Sequence, residues 1–191
     1  MTTNASEDQV VLMTEGLRKP SGPVHALRGM DLEGRRGEIF GFLGPNGAGK
    51  TTTIRCLLDL IRPDGDTIRV LGIDPQTDPV AVQARSGYLP GELRLYDNLT
   101  ARRQLRFLSD MRGGNADWGF ARELAQQLDL AMDRPIKNLS KGNKQKIGVV
   151  QALMHRPELL LLEEPTAGLD PLMQREVLDL IEQARADGAT V

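Results

Sequence analysis

Gly44-Pro45-Asn46-Gly47-Ala48-Gly49-Lys50-Thr51 fits the pattern GxxxxGK[ST], and its flanks complete the context that this pattern requires. Upstream, Glu38 to Leu43 carries Ile39, Phe40, Phe42 and Leu43, as expected of a strand buried on both faces of a parallel sheet. Downstream, the spacing predicts a helix from about Lys50 to Leu60 that stops before Pro63-Asp64-Gly65. A triphosphate carries several negative charges, and a loop solvates them only if successive backbone N–H groups turn inward. Glycines permit that turn and the close approach, while the helix N-terminus adds its dipole. In such a loop Lys50 bridges the β- and γ-phosphates and the Thr51 hydroxyl ligates Mg²⁺. The stretch therefore predicts a nucleotide site; a glycine-rich turn that binds nothing is the alternative.

A second segment points the same way. Leu159-Leu160-Leu161-Leu162-Glu163-Glu164 places two carboxylates at the C-terminal end of a buried strand, where ligands of open α/β sheets sit. Adjacent strand residues point to opposite sides, so one carboxylate reaches a metal shell while the other faces an attacking water, unless the strand has already ended. An acidic pair that merely caps the strand is the competing reading.

Working outward, Val10–Leu17, Thr67–Val70 and Ser86–Leu89 read as further strands, and a last one begins at Thr190. From Thr100 to His155 the periodicity turns helical, with Leu105/Leu108, Phe107/Met111, Leu124/Leu128 and Val149/Leu153 three or four apart. Asp170-Pro171 is an N-cap followed by proline at the first helical position, opening a helix over Leu172–Ala186. Strands alternating with helices define an α/β sheet with a helical insertion.

Composition excludes several classes. The 191 residues suffice for a sizeable core, and 24 Lys+Arg against 26 Asp+Glu leave a charge of −2, unlike a chain that coats nucleic acid. The single cysteine, Cys56, forms neither an internal disulfide nor a thiolate metal site, which suits a reducing cytosol. The longest uncharged run, Ile39 to Gly49, falls short of the roughly 20 apolar residues of a membrane span. The N-terminus, with Glu7 and Asp8 and no basic residue before Arg18, does not resemble a signal peptide.

Together these segments resemble the ATP-binding subunit of an ABC transporter, over about Val10 to Val191. Leu139-Ser140-Lys141-Gly142-Asn143 sits where that family has its LSGGQ-type signature, and Ser140 and Gly142 at a helix start present donors to an anion. Ala167-Gly168-Leu169-Asp170 matches the D-loop, which in relatives contacts the opposite subunit and positions the water. The resemblance implies a P-loop NTPase (RecA-like) sheet spanning 1–90 and 156–191, with a helical signature subdomain over 91–155 and an incomplete sheet at the C-terminus. It implies ATP and Mg²⁺ held by Gly44, Pro45, Asn46, Gly47, Ala48, Gly49, Lys50, Thr51 and Thr52, with Thr51 and Glu163 as metal ligands and Glu164 polarising the water. Ser140, Lys141, Gly142 and Asp170 would complete the nucleotide site of a second subunit, so a homodimer is implied. It further implies a polytopic membrane permease as a separate partner, a cytoplasmic place at the inner face of the membrane, and no nucleic acid. The phrase running from Gly41 to Thr52, with Glu164-Pro165-Thr166-Ala167-Gly168-Leu169-Asp170-Pro171, is similar to subunits of bacterial drug or lipid exporters. Import subunits share much of it.

Five departures from the family pattern set further expectations. Glu163 stands for the metal-site aspartate, one methylene longer, and predicts weakened rather than abolished hydrolysis. Gly91 occupies the position of the glutamine that contacts the metal; either Glu92 substitutes or that metal contact is missing. Lys141 replaces a signature glycine. No aromatic falls near Pro20-Ser21-Gly22 to stack on adenine, so base stacking is reduced and Val24 or His25 packs there instead, with His25 as a surface residue the competing and favoured reading. Relatives continue past Thr190-Val191 into a histidine that contacts the γ-phosphate, so the chain reads as a fragment or a remnant with impaired turnover. Two rival functions stay open: an ATP-dependent dimerisation module without catalysis, and a soluble ABC-type ATPase outside transport. Other residues read as structural: Cys56 as a buried apolar group, His155 as a cation suited to a helix C-terminus, Lys141, Lys144 and Lys146 as a solvated helix start, and Trp118 and Phe120 as packing between helices.

Overall fold

Four consecutive leucines leave a strand no polar face, so the segment holding them must be covered on both sides. In the computed structural model, which describes residues 9–21, 24–64, 67–114 and 116–191, that segment contributes to both hydrophobic cores. The elements in chain order are β1 (Val10–Ser21), β2 (Val24–Arg35), α1 (Lys50–Leu57), β3 (Thr67–Val70), α2 (Pro79–Arg85) and β4 (Ser86–Leu89). They continue with α3 (Ala101–Met111), α4 (Trp118–Gln127), α5 (Lys141–Leu153), β5 (Leu159–Leu162) and α6 (Pro171–Ala186). β4 and β5 pair in parallel, Ser86 against Leu159 through Leu89 against Leu162. Alternate leucines of β5 enter different cores: Leu160 packs with α3, α4, α5 and α6, whereas Leu159 and Leu161 pack with α1 and the strands β1 and β3. Those strands belong to an antiparallel sheet of order β2-β1-β3.

Three strands and the helical block stand where the sequence places them. The structure differs in four respects. First, β2 and α2 were not expected. The β2 residues Arg28, Asp31 and Glu33 break the apolar pattern, and the strand forms by pairing along the whole of β1, which thereby extends past Leu17 to Ser21. The α2 helix has seven residues and depends on the Asp78 cap. Second, α1 ends at Leu57 rather than Leu60. Third, Glu38–Leu43 is not a buried strand. Val191 N donates to Glu38 O at 2.9 Å and Phe40 N donates to Val191 O at 2.7 Å, the pattern of a parallel pair. Among the described residues no backbone group pairs with 41–43, and Ile39, Phe40 and Leu43 remain exposed, Leu43 at 91%. Leu160 N donates to Thr190 O, so Thr190–Val191 lies between β5 and 38–40. Fourth, Lys146 is buried and donates to Asp129 O at 3.4 Å, while Lys144 pairs with Asp97 at 3.1 Å.

Helix α5 approaches β4 closely enough that glycine is required on the strand: a Cβ on Gly87 would lie 2.1 Å from Ala152 O. Beside this contact sits His155. Arg112 Nη2 donates to Gln83 O at 2.6 Å and Ser86 O at 3.1 Å, and reaches His155 Nε2 at 3.0 Å. The same Nε2 lies 3.1 Å from Ser86 O, so this nitrogen faces a guanidinium donor and a carbonyl acceptor at once. Burial, and then the charge of Arg112, lower the His155 pKa from 6.5 to about 4. The imidazole is therefore not the helix-terminal cation that its sequence position suggests. Cys56 is fully buried, as expected. Trp118 and Phe120 pack against the helical core, with Arg106 over the first ring at 5.4 Å and Arg156 over the second at 3.8 Å. Among the described residues no helix is long and apolar enough to cross a membrane.

Two outcomes are expected from this packing. Gly87→Ala should destabilise the fold by about 1–3 kcal/mol in urea unfolding, because backbone cannot yield, whereas Gly34→Ala should stay within about 0.5 kcal/mol. The added Cβ of Gly34→Ala meets Leu12 Cβ at an ordinary 3.5 Å. A neutral folded His155 binds fewer protons than the unfolded one, so its contribution is present above pH 6.5 and is lost as pH falls toward 4. The urea midpoint of the unmodified chain should fall more steeply across that window than that of His155→Asn; parallel slopes would contradict this placement.

Candidate functional site

Among the described residues, five of the six α-helices carry a side-chain cap: Asp78, Thr100, Asp117, Ser140 and Asp170 each accept from the first turn of the helix they open. The exception is α1. Its N-cap, Gly49, has φ 88°, provides no side chain, and no acidic residue lies in the first turn. The first N–H groups of a helix have no partner within it, so the amides at the start of α1 are open to an external anion, with the helix dipole behind them. Gly47, at φ 83°, permits the preceding turn. Lys50 Nζ bends back over the loop and donates to Gly44 O at 2.5 Å and Pro45 O at 3.0 Å. A cation held on weak carbonyl acceptors is poised to transfer to phosphate oxygens, which bear full charge.

The acidic pair arrives from the other side of the sheet. β5 ends at Leu162, and Glu163 N donates to Leu89 O at 2.9 Å, which extends the ladder by one bond. The two carboxylates are thus set by a loop rather than by strand alternation. Glu163, half-buried, accepts from the Thr51 hydroxyl through Oε2 and from the Tyr88 hydroxyl through Oε1 at 2.6 Å. Burial and the bond to Glu163 push the Tyr88 phenol up to about 12, so at neutral pH it is a donor. Glu164 is exposed and has φ 45°, a strained conformation for a residue with a side chain. Gln145 Nε2 holds that turn by donating to Glu164 O at 3.1 Å and Pro165 O at 3.3 Å.

These parts line one cleft of about 760 Å³. Its polar lining includes Asn46–Thr52, Gly91, Glu92, Glu163 and Glu164, and its apolar lining includes the four leucines of β5 with Ile54 and Leu57. Gly44 and Pro45 lie outside the lining and serve as acceptors for Lys50. Gly91 lies against Glu163, where a Cβ would meet Oε2 at 3.6 Å, and it offers no side-chain donor there. Ser140, Lys141, Gly142 and Asp170 are not part of the lining. Ser140 accepts from Asn143 N at 3.2 Å, and Asp170 accepts from Leu172 N and Met173 N at 3.0 Å. Lys141 and Gly142 pack instead on Gly168 of their own chain: a Cβ on Gly142 would lie 2.9 Å from Gly168 O, and the Lys141 stem covers Gly168. Sequence reasoning missed Tyr88 and Gln145 as site residues. The adenine-stacking expectation at Pro20-Ser21-Gly22, Val24 and His25 falls on Gly22 and on the side chains of Ser21, Val24 and His25, outside the described residues.

Mg²⁺ takes oxygen ligands and is usually held by one or two protein groups plus waters and phosphates. Thr51 and Glu163, oxygen donors in direct contact beside the open amides, fit that requirement. Among the described residues no cluster of three His, Cys, Asp or Glu side chains would hold a metal alone.

A glycine loop that opens an uncapped helix, joined to a carboxylate at the end of a buried parallel strand, defines a P-loop NTPase fold. The ABC transporter family matches residues 27–167, well over half of the chain. The chain is 37% identical over 184 residues to the daunorubicin/doxorubicin resistance ATP-binding protein DrrA of Streptomyces peucetius, covering 93% of this chain and 55% of that protein. It is 35% identical to the linearmycin resistance ATP-binding protein LnrL of Bacillus subtilis, covering 95% and 60%. It thus spans little more than half the length of these relatives. A solved ATP-binding subunit of an ABC transporter superposes with a TM-score of 0.85 at 29% identity, covering 94% of this chain and 77% of that one. The chain belongs to the ABC transporter family, in its ATP-binding part.

Proposed function

We propose that this chain binds Mg·ATP and hydrolyses it to ADP and phosphate, as the energy-supplying subunit of a bacterial drug or lipid exporter. The observation that carries the reading is the Thr51–Glu163 contact. It joins the head of the phosphate loop to the end of β5 across 112 residues, beside amides that no side chain caps. The loop amides 46–52 and Lys50 take the β- and γ-phosphates, and Thr51 and Glu163 hold Mg²⁺. The metal supplies neutralisation of phosphate charge. Glu164 orients the attacking water and accepts its proton, from a backbone turn that Gln145 fixes. Ser140, Lys141 and Gly142 lie off the cleft of their own chain, which supports a pair of chains enclosing two nucleotides, the signature and Asp170 segment of each facing the loop of the other. The resistance functions in the names of the relatives support export, by separate membrane subunits that the pair would drive from the cytoplasmic face. A second reading, ATP-dependent pairing without turnover, is favoured by Gly91, which adds no side-chain ligand of its own beside Glu163 and Thr51.

Calorimetry of the chain with Mg·ATP should register binding that Lys50→Ala weakens by about tenfold or more, the loss expected when charge-assisted bonds to phosphate disappear. Glu164→Gln should keep that affinity and lower turnover about a hundredfold. Equal, near-background turnover of both proteins with nucleotide-dependent pairing would select the second reading. Absence of Lys50-dependent binding would overturn both.

A further inference from the structure

Glu163 is a longer carboxylate than the resembling pattern has at this position, and a longer side chain has one more torsion to fix before it presents an oxygen to a cation. The structure shows what fixes it. The two oxygens of Glu163 are divided between two donors on different elements: Oε2 faces the Thr51 hydroxyl on α1, and Oε1 accepts from the Tyr88 hydroxyl on β4. Tyr88 is itself held by the parallel ladder, opposite Leu161, two residues before the glutamate on β5's own path. Its ring packs half-buried against the core beneath the loop. Gly91 leaves room beside the carboxylate and supplies no competing side chain. We propose that Tyr88 is the positioning residue that adapts Glu163 to the metal site, by occupying Oε1 so that Oε2 alone is aimed at the cation shared with Thr51. This rests on the Mg·ATP reading above. The tyrosine is not part of the cleft lining; it acts through the carboxylate.

The test is a double-mutant cycle between Tyr88→Phe and Glu163→Asp in the full chain, read in two ways. Phenylalanine removes one oxygen and keeps the packing, so the fold should persist. Without nucleotide, urea unfolding of the four proteins reports whether the bond exists: the loss from Tyr88→Phe should be clearly larger with Glu163 than with Glu163→Asp, whose shorter arm cannot serve both donors. With ATP, the Mg²⁺ concentration that gives half of the full affinity gain should rise about tenfold in Tyr88→Phe and less than about twofold when Glu163→Asp is also present. Affinity for ATP in excess chelator should be unchanged by Tyr88→Phe, which a general structural effect would not spare. Equal effects of Tyr88→Phe in both backgrounds, by either reading, would overturn the proposal. A coupled unfolding cycle together with no magnesium-dependent ATP binding in the unmodified chain would locate the failure in the Mg·ATP reading, and would end the metal role of Tyr88 with it.

Discussion

The parallel pairing of β4 with β5 is the constraint on which the rest depends. It buries Leu159, Leu160 and Leu161 between two cores and continues for one bond beyond the strand, Glu163 N to Leu89 O, which delivers a carboxylate to the edge of the sheet. From there Glu163 meets Thr51 at the start of α1 and Tyr88 on the neighbouring strand. Backbone pairing sets the position, apolar burial holds it, and the charged group is placed where two neutral hydroxyls receive it. A slip of one residue in this ladder would turn the leucines from one core to the other and move the carboxylate from the loop.

The helix termini tell the same story from the side of electrostatics. Five helices satisfy their first amides with their own Asp, Ser or Thr, so capping is the rule in this chain. Among the described residues, the helix without a side-chain cap is the one that follows the glycine loop and faces the acidic edge. A positive helix end and a lysine lie opposite a carboxylate, an arrangement suited to a ligand that carries anionic phosphates together with a divalent cation. Neither half alone accounts for the other.

Much of this was legible in the sequence because it is local. GxxxxGK[ST] specifies its own turn, the leucine run specifies a buried strand, and Asp170-Pro171 specifies a helix start. What was not legible depends on partners far along the chain. Arg28, Asp31 and Glu33 hide β2, which exists because β1 pairs with it. Tyr88 reads as one more strand residue until its partner 75 positions away is in place. Lys146 reads as a solvated charge until Asp129 O appears beside it. The apolar run Glu38–Leu43 shows the converse: its composition suits a covered strand, yet among the described residues ladder bonds reach only Glu38 and Phe40 through Val191, and Ile39, Phe40 and Leu43 are exposed.

The central claim is that the amides between Asn46 and Thr52 form an anion cradle closed from the opposite side by Glu163. Backbone NMR of the chain during titration with Mg·ATP addresses it most directly. The account predicts saturable shifts that are largest at the amides of 46–52, with a secondary response at Glu163. Saturation with the largest shifts elsewhere, or no shift in that loop, would contradict it.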